Sequence, residues 1–232
     1  KLVEQYGPQV ELKREPVDDL SAAVTKQRRI LLLGDPGSGK TTTLWRMAHD
    51  YATAARDDAR APLPVFAPLG GYTDDEPFGA YLGRHLGPLA PYLDIYRASG
   101  RLTLLLDGLN EMPQVDYAER VRRIQEALDR CAHQKETVVV TCRPLDYVVK
   151  LKRLQKVEVA PLDGVRIRAF VHNYLGDAAG ERLFWRMAGH EARVLRETWQ
   201  QEELPPLLAM GRNPYLLLMM AQVYANKGKL PT

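Results

Sequence analysis

Residues 27–55, QRRILLLGDPGSGKTTTLWRMAHDYATAA, constrain the fold more than any other stretch of this 232-residue chain. Ile30 to Leu33 form a short apolar run closed by Gly34, the pattern of a strand buried on both faces. After the glycines, Leu44, Met47, Ala48, Tyr51, Ala52 and Ala55 recur at helical spacing. The order is therefore strand, loop, helix. The loop, GDPGSGKT from Gly34 to Thr41, fits G-x-x-x-x-G-K-[ST] at every position. Its glycines let the backbone turn tightly, so that several N–H groups face a phosphate oxygen. The following helix offers its N-terminal donors and positive dipole end to the same anion. Lys40 suits the β- and γ-phosphates, and the Thr41 hydroxyl suits Mg²⁺. The expected binding set is Gly34, Asp35, Pro36, Gly37, Ser38, Gly39, Lys40, Thr41 and Thr42. A chance glycine-rich turn explains the loop alone, but not the loop together with its strand and helix.

A phosphate loop needs a second group for the metal, usually an acid at the end of a neighbouring strand. LTLLLDGLNEMP, residues 102–113, supplies one in Asp107, where an apolar run stops. Thr41 and Asp107 are the expected metal ligands. Glu111 is placed to orient or deprotonate water. The plainer readings are a turn aspartate and a solvated glutamate. Between them, Asn110 is an amide that accepts a hydrogen bond but cannot act as a base.

The remaining chain organises around this pair. PLPVFAPLGG reads as a short strand. Residues 77–100 have helical spacing broken at Gly87 and Pro88. Tyr117, Val121, Ile124, Leu128 and Cys131 mark one helix face. ETVVVTCRP and LQKVEVAPL read as two more strands. Five strands alternating with helices predict a three-layer α/β fold with a parallel sheet. In chain order one strand falls between the phosphate-loop helix and the acidic strand. From Asp163 the pattern is all-helical, with Ile167, Phe170, Val171, Tyr174 and Leu175 on one face. The expected division is a nucleotide-binding domain at 1–160 and a small helical domain at 161–232. PYLLLMMAQVYA is apolar nearly all round, which reads as a buried helix or a face for another domain.

Several function classes recede on composition. A net charge of +3 is too small to argue for nucleic acid. Arg120, Arg122 and Arg123 are interspersed with Glu119, Glu126 and Asp129, so they read as a solvated helix face. Cys131 and Cys142 lack metal spacing and fit a reducing, cytoplasmic setting. The five histidines show no ligand pattern. No apolar run reaches the roughly 20 residues of a membrane span. NKGK at Asn226 lacks the aspartate of a guanine-reading element, which favours ATP over GTP. The start at Lys1 and the interrupted end, ANKGKLPT, predict a piece of a longer protein.

These motifs, in this order, resemble the NACHT domain of STAND-class, NLR-like signalling NTPases. LLLGDPGSGKTT looks like its Walker A motif and LLLDGLNEMP like its extended Walker B motif. VVVTCRPLDY is similar to its sensor 1 strand, and RNPYLLLMM to the proline motif of its first helical domain. The resemblance implies an ASCE or AAA+-like P-loop core. It implies catalytic roles for Glu111 and Arg143, with Arg143 sensing the γ-phosphate, and an adenine contact for Pro214. Without the resemblance, Asn213 and Pro214 are simply a good helix start. Backbone within residues 10–19 is expected to complete the site. ATP or ADP and Mg²⁺ are the implied cofactors. The implied function is a slow ATPase switch in immune or antiviral defence, closed with ADP and oligomeric with ATP. Self-association and effector and sensor domains in cis are the implied partners. Asn110 stands where many relatives carry an acid. A scaffold without functional hydrolysis, a AAA+-type ATPase and an ATP-dependent transferase are the alternatives.

Overall fold

The structure is a computed structural model and describes residues 20–73, 76–130, 136–189 and 204–230. Five strands form one parallel sheet: β1 (Arg29–Leu33), β2 (Leu63–Pro68), β3 (Leu102–Asp107), β4 (Thr137–Cys142) and β5 (Gln155–Glu158). Their order is β2-β3-β4-β1-β5. Leu104 lies opposite Val138, and Ile30 opposite Val139. The apolar runs of β1, β3 and β4 occupy the centre because both their faces are covered. The edges are more polar. β2 carries Pro64, which an edge strand tolerates, and β5 exposes Lys156.

The order refines the expectation from the sequence. In the chain, β2 comes between the phosphate loop and the acidic strand. In the sheet, β4 lies between β1 and β3, and β2 is the far edge. Chain order cannot reveal this, because the strand inserted in space is made later.

Alternate residues of the central strands feed two cores. Ile30, Leu32, Leu105 and Val139 pack with Ala23 and Val24 of α1 (Leu20–Gln27) and with Leu44 and Met47 of α2 (Lys40–Asp57). On the other face, Leu31, Leu104, Leu106 and Val140 meet Phe78, Tyr81 and Leu82 of α3 (Phe78–Arg84). Leu93 of α4 (Leu93–Ala98) joins them, with Val121, Ile124 and Leu128 of α5 (Tyr117–Arg130). Each Leu, Ile, Val, Met or Phe among them contributes about 1.5–3 kcal/mol by leaving water. The break at Gly87 is a 3₁₀ stretch, Gly87–Tyr92, between α3 and α4.

A third core belongs to α6 (Gly164–Leu175), α7 (Asp177–Ala188), α8 (Pro206–Gly211) and α9 (Pro214–Lys227). Asp163 caps α6 by accepting from Arg166 N at 2.7 Å. Gly180 lets α7 approach α6, since a Cβ there would lie 2.7 Å from the His172 Cα. Ile167 and Val171 are buried as the helical spacing predicts. Tyr174, on the same face, is 45% exposed and stacks on Phe170 with centroids 6.2 Å apart. The apolar stripe is wider than the surface α7 and α9 cover. In α9, Leu217, Met220 and Ala221 are buried, while Tyr215, Leu216 and Met219 are exposed.

The arginine cluster divides. Arg122 pairs with Glu119 and Glu126, and Arg123 with Glu119, on a solvated face. Arg120 does not belong there. It is buried, and its guanidinium donates to the Pro113 and Val115 carbonyls. A buried cation needs such acceptors. Cys131, His133, His190 and residues 10–19 lie outside the described residues.

Candidate nucleotide site

The carboxyl ends of β1, β3 and β4 carry the predicted site. Asp107 is the last residue of β3 and is buried. Its two oxygens are held by two different elements. Thr41, in the first turn of α2, donates to Oδ2 at 2.8 Å. Thr141, near the end of β4, donates to Oδ1 at 2.6 Å. The Thr141 hydroxyl in turn accepts from Gly108 N at 2.8 Å. One threonine thus fixes both the carboxylate and the turn that follows it.

That turn is a single 3₁₀ unit, Leu109–Glu111. Gly108 enters it with φ at 74°, which a side chain disfavours. A Cβ there would also lie 2.7 Å from the Glu111 carboxyl. Glycine at this position is what lets the Glu111 carboxyl fold back over Gly108. Asn110 points elsewhere, its Oδ1 accepting from Arg143 N at 3.0 Å. The amide between the acids therefore ties the acidic turn to the end of β4. Arg143 itself is exposed, and its guanidinium lies 3.8 Å from Asp146.

In the phosphate loop, Lys40 Nζ donates to the carbonyls of Gly34 at 2.7 Å and Asp35 at 2.9 Å. Burial lowers its pKa below the ordinary lysine value, and nearby Arg143 adds to this, while Asp107 and Asp35 oppose it. Burial pushes the neighbouring Cys142 thiol up to about 11, so it stays protonated and inert. No side chain caps α2. Its first intrahelical bond runs from Thr43 N to the Gly39 carbonyl at 2.9 Å. The N–H groups ahead of it have no intrahelical acceptor and suit an anion.

Lys40, Thr41, Thr42, Asp107, Asn110, Glu111 and Arg143 line one cleft of about 1180 Å³. Pro36, Gly37, Gly39 and Pro214 line it too, with Thr141, Phe170, Tyr174 and Tyr215. Gly34, Asp35 and Ser38 do not line it. Two of these serve the loop through carbonyls that accept from Lys40. Asn226 lies near the end of α9, outside the lining. Among the described residues no group of three or more His, Cys, Asp or Glu is placed to hold a metal ion.

Thr141 and Asn213 stand outside the predicted site residues, as do Phe170, Tyr174 and Tyr215 of the lining. Thr141 was detectable as one polar side chain in the apolar run VVVTC, because a buried polar group must find a partner. Asn213 was read only as a helix cap. Its Nδ2 also donates to the Pro36 carbonyl at 2.8 Å.

No curated protein matches the chain. Among solved structures it is similar to Cdc6p from Pyrobaculum aerophilum, with 14% identity and a TM-score of 0.48. That likeness covers 90% of this chain and 61% of Cdc6p. It is also similar to the E. coli HORMA:CdnC:Trip13 complex, with 19% identity, TM-score 0.45, and coverage of 93% and 79%. A STAND signal-transduction ATPase with a tetratricopeptide repeat sensor, from Pyrococcus horikoshii, is 15% identical, with a TM-score of 0.42. There the likeness covers 78% of this chain and 28% of that one. The pattern that defines the NACHT domain matches residues 28–178, from the start of β1 into α7. With that match over more than half its length, on a five-stranded P-loop sheet, the chain belongs to the NACHT domain family of nucleotide-binding NTPases.

Proposed function

We propose that this chain is the Mg²⁺-dependent ATP-binding and slowly hydrolysing core of a signalling switch. The observation that carries the proposal is the hydrogen bond between Thr41 and Asp107, inside a cleft that also presents Lys40, Glu111 and Arg143. A hydroxyl and a carboxylate at 2.8 Å are the hard oxygen donors that Mg²⁺ takes from protein when phosphates and waters supply the rest. The residues therefore fit the ion. Magnesium, when bound, neutralises charge on the β- and γ-phosphate oxygens.

The chain's own groups have separate tasks. Loop N–H groups and the start of α2 hold the phosphates, and Lys40 leaves the Gly34 and Asp35 carbonyls to reach them. Glu111 accepts the proton of the attacking water. Arg143 stabilises charge on the transferred group. Pro214, Phe170 and Tyr174 add apolar surface to the cleft lining, which suits the base. Residues 1–160 act as the nucleotide domain, and residues 161–232 as a helical domain beside it. The ADP-closed and ATP-assembled states, self-association, partner domains in cis and a defence role come from the family resemblance.

The test is phosphate release from Mg-ATP by the parent and by Glu111→Gln. The proposal predicts slow release by the parent and a loss of at least about 100-fold in the variant, with nucleotide binding retained. Equal release by both proteins contradicts the assignment of Glu111. A parent that binds but releases nothing supports a nucleotide-holding scaffold instead.

A further inference from the structure

The phosphate loop is held from outside by the start of α9. Asn213 Nδ2 donates to the Pro36 carbonyl at 2.8 Å, across 177 residues of sequence. The same side chain caps α9, its Oδ1 accepting from Tyr215 N at 3.0 Å and Leu216 N at 3.3 Å. Tyr215 N also donates to the Gly37 carbonyl at 3.2 Å. The surroundings fix the orientation of the amide, because its oxygen faces two donors and its nitrogen faces a carbonyl.

These contacts act on the loop's peptide planes. In a trans peptide the carbonyl and the following N–H point in opposite directions. Holding the Pro36 carbonyl against Asn213 turns the Gly37 N–H away from α9. Holding the Gly37 carbonyl against Tyr215 does the same to the Ser38 N–H, which donates to the Asp35 carbonyl at 3.1 Å. Gly37 also leaves room for the contact. A Cβ there would lie 2.8 Å from both Asn213 Oδ1 and Tyr215 Cβ. The middle glycine of GDPGSGKT is thus required by the helical segment as well as by its φ of 75°.

We propose that Asn213 is a positioning residue for the phosphate loop, through which the helical segment sets how tightly that loop holds phosphate. The inference rests on the nucleotide-site reading above. The residue type matters. Asn, Asp and Ser all cap helices well. Of these, asparagine accepts from the helix while extending an N–H arm to Pro36. Aspartate caps but turns a carboxylate toward that carbonyl. Serine caps but has no such arm.

Asn213→Asp and Asn213→Ser therefore separate the two tasks. The measurements are the nucleotide-free melting temperature and the Kd and dissociation rate for Mg-ADP, with Lys40→Ala alongside. Both Asn213 variants should melt close to the parent, because the cap survives. Both should bind nucleotide about tenfold more weakly and release it faster, the size of one lost hydrogen bond. Parent-like binding by both overturns the proposal. So does a loss confined to Asn213→Asp, which is an effect of charge alone. If Lys40→Ala loses binding while the Asn213 variants keep it, only this inference fails. If the parent binds no nucleotide, the site reading fails with it.

Discussion

The Thr41 hydroxyl donates to Asp107 Oδ2 at 2.8 Å, although 66 residues and a whole strand separate them. The bond spans from the helix after β1 to the end of β3, over the intervening end of β4. It exists because the sheet order is β3-β4-β1. β4 is not a passive spacer, since Thr141 holds the other oxygen of the same carboxylate. Three chain segments, each unremarkable in composition, thus meet at one acid.

Thr141→Val tests that arrangement. The substitution keeps shape but leaves Asp107 Oδ1 and the Gly108 N–H without their shared partner. Unsatisfied buried groups cost about 1–3 kcal/mol, so the melting temperature should fall. Phosphate release should drop about tenfold as Asp107 loses its fixed position. Steady-state assays and thermal melts check both, and parent-like values in both contradict the role given to Thr141.

Asn110 has a distinct prediction. Its Oδ1 accepts from Arg143 N, so what the site needs there is an acceptor. Asn110→Asp retains one and should leave phosphate release within about threefold of the parent. Asn110→Ala removes it and should reduce release about tenfold. An acceleration of about 100-fold in Asn110→Asp would mean that the amide marks a missing base.

The helical segment carries a pH dependence. Glu181 accepts from Arg168 Nε at 2.9 Å and Nη2 at 2.7 Å, from Trp185 Nε1 at 2.8 Å, and lies 2.7 Å from His172 Nε2. Arg168 is the main reason its pKa falls from 4.5 to about 2. The unfolded chain binds this proton first, so the contribution is present above the unfolded value and is lost as pH falls toward 2. Urea midpoints should therefore decline more between pH 5 and pH 3 in the parent than in Glu181→Gln. Parallel declines contradict the assignment.

The sequence made some of this legible and hid the rest for physical reasons. GDPGSGKT and DGLNE stand out in the sequence because phosphate and metal chemistry, where present, dictates residue types at short spacing. The central strands could be read because their runs ILLL, LLL and VVV are apolar on both faces. Arg120 was misread because charge patterning does not show that Pro113 and Val115 turn carbonyls toward it. Tyr174 shares the face of Ile167 and Val171 as its spacing implies, but a helical stripe does not show how much of its width a neighbour covers. Asn213 was read only in part, since capping α9 already explains an asparagine before a proline. Its second partner lies 177 residues away, and only the fold brings the two together.

The central claim is that this cleft holds a magnesium–nucleotide through the phosphate loop. Calorimetric titration of ATP, with and without Mg²⁺, into the parent and Lys40→Ala tests it most directly. The parent should bind, more tightly with the metal, and Lys40→Ala should bind at least about 100-fold more weakly, the scale of a charge-assisted contact to phosphate. Equal affinity in the two proteins would contradict the account.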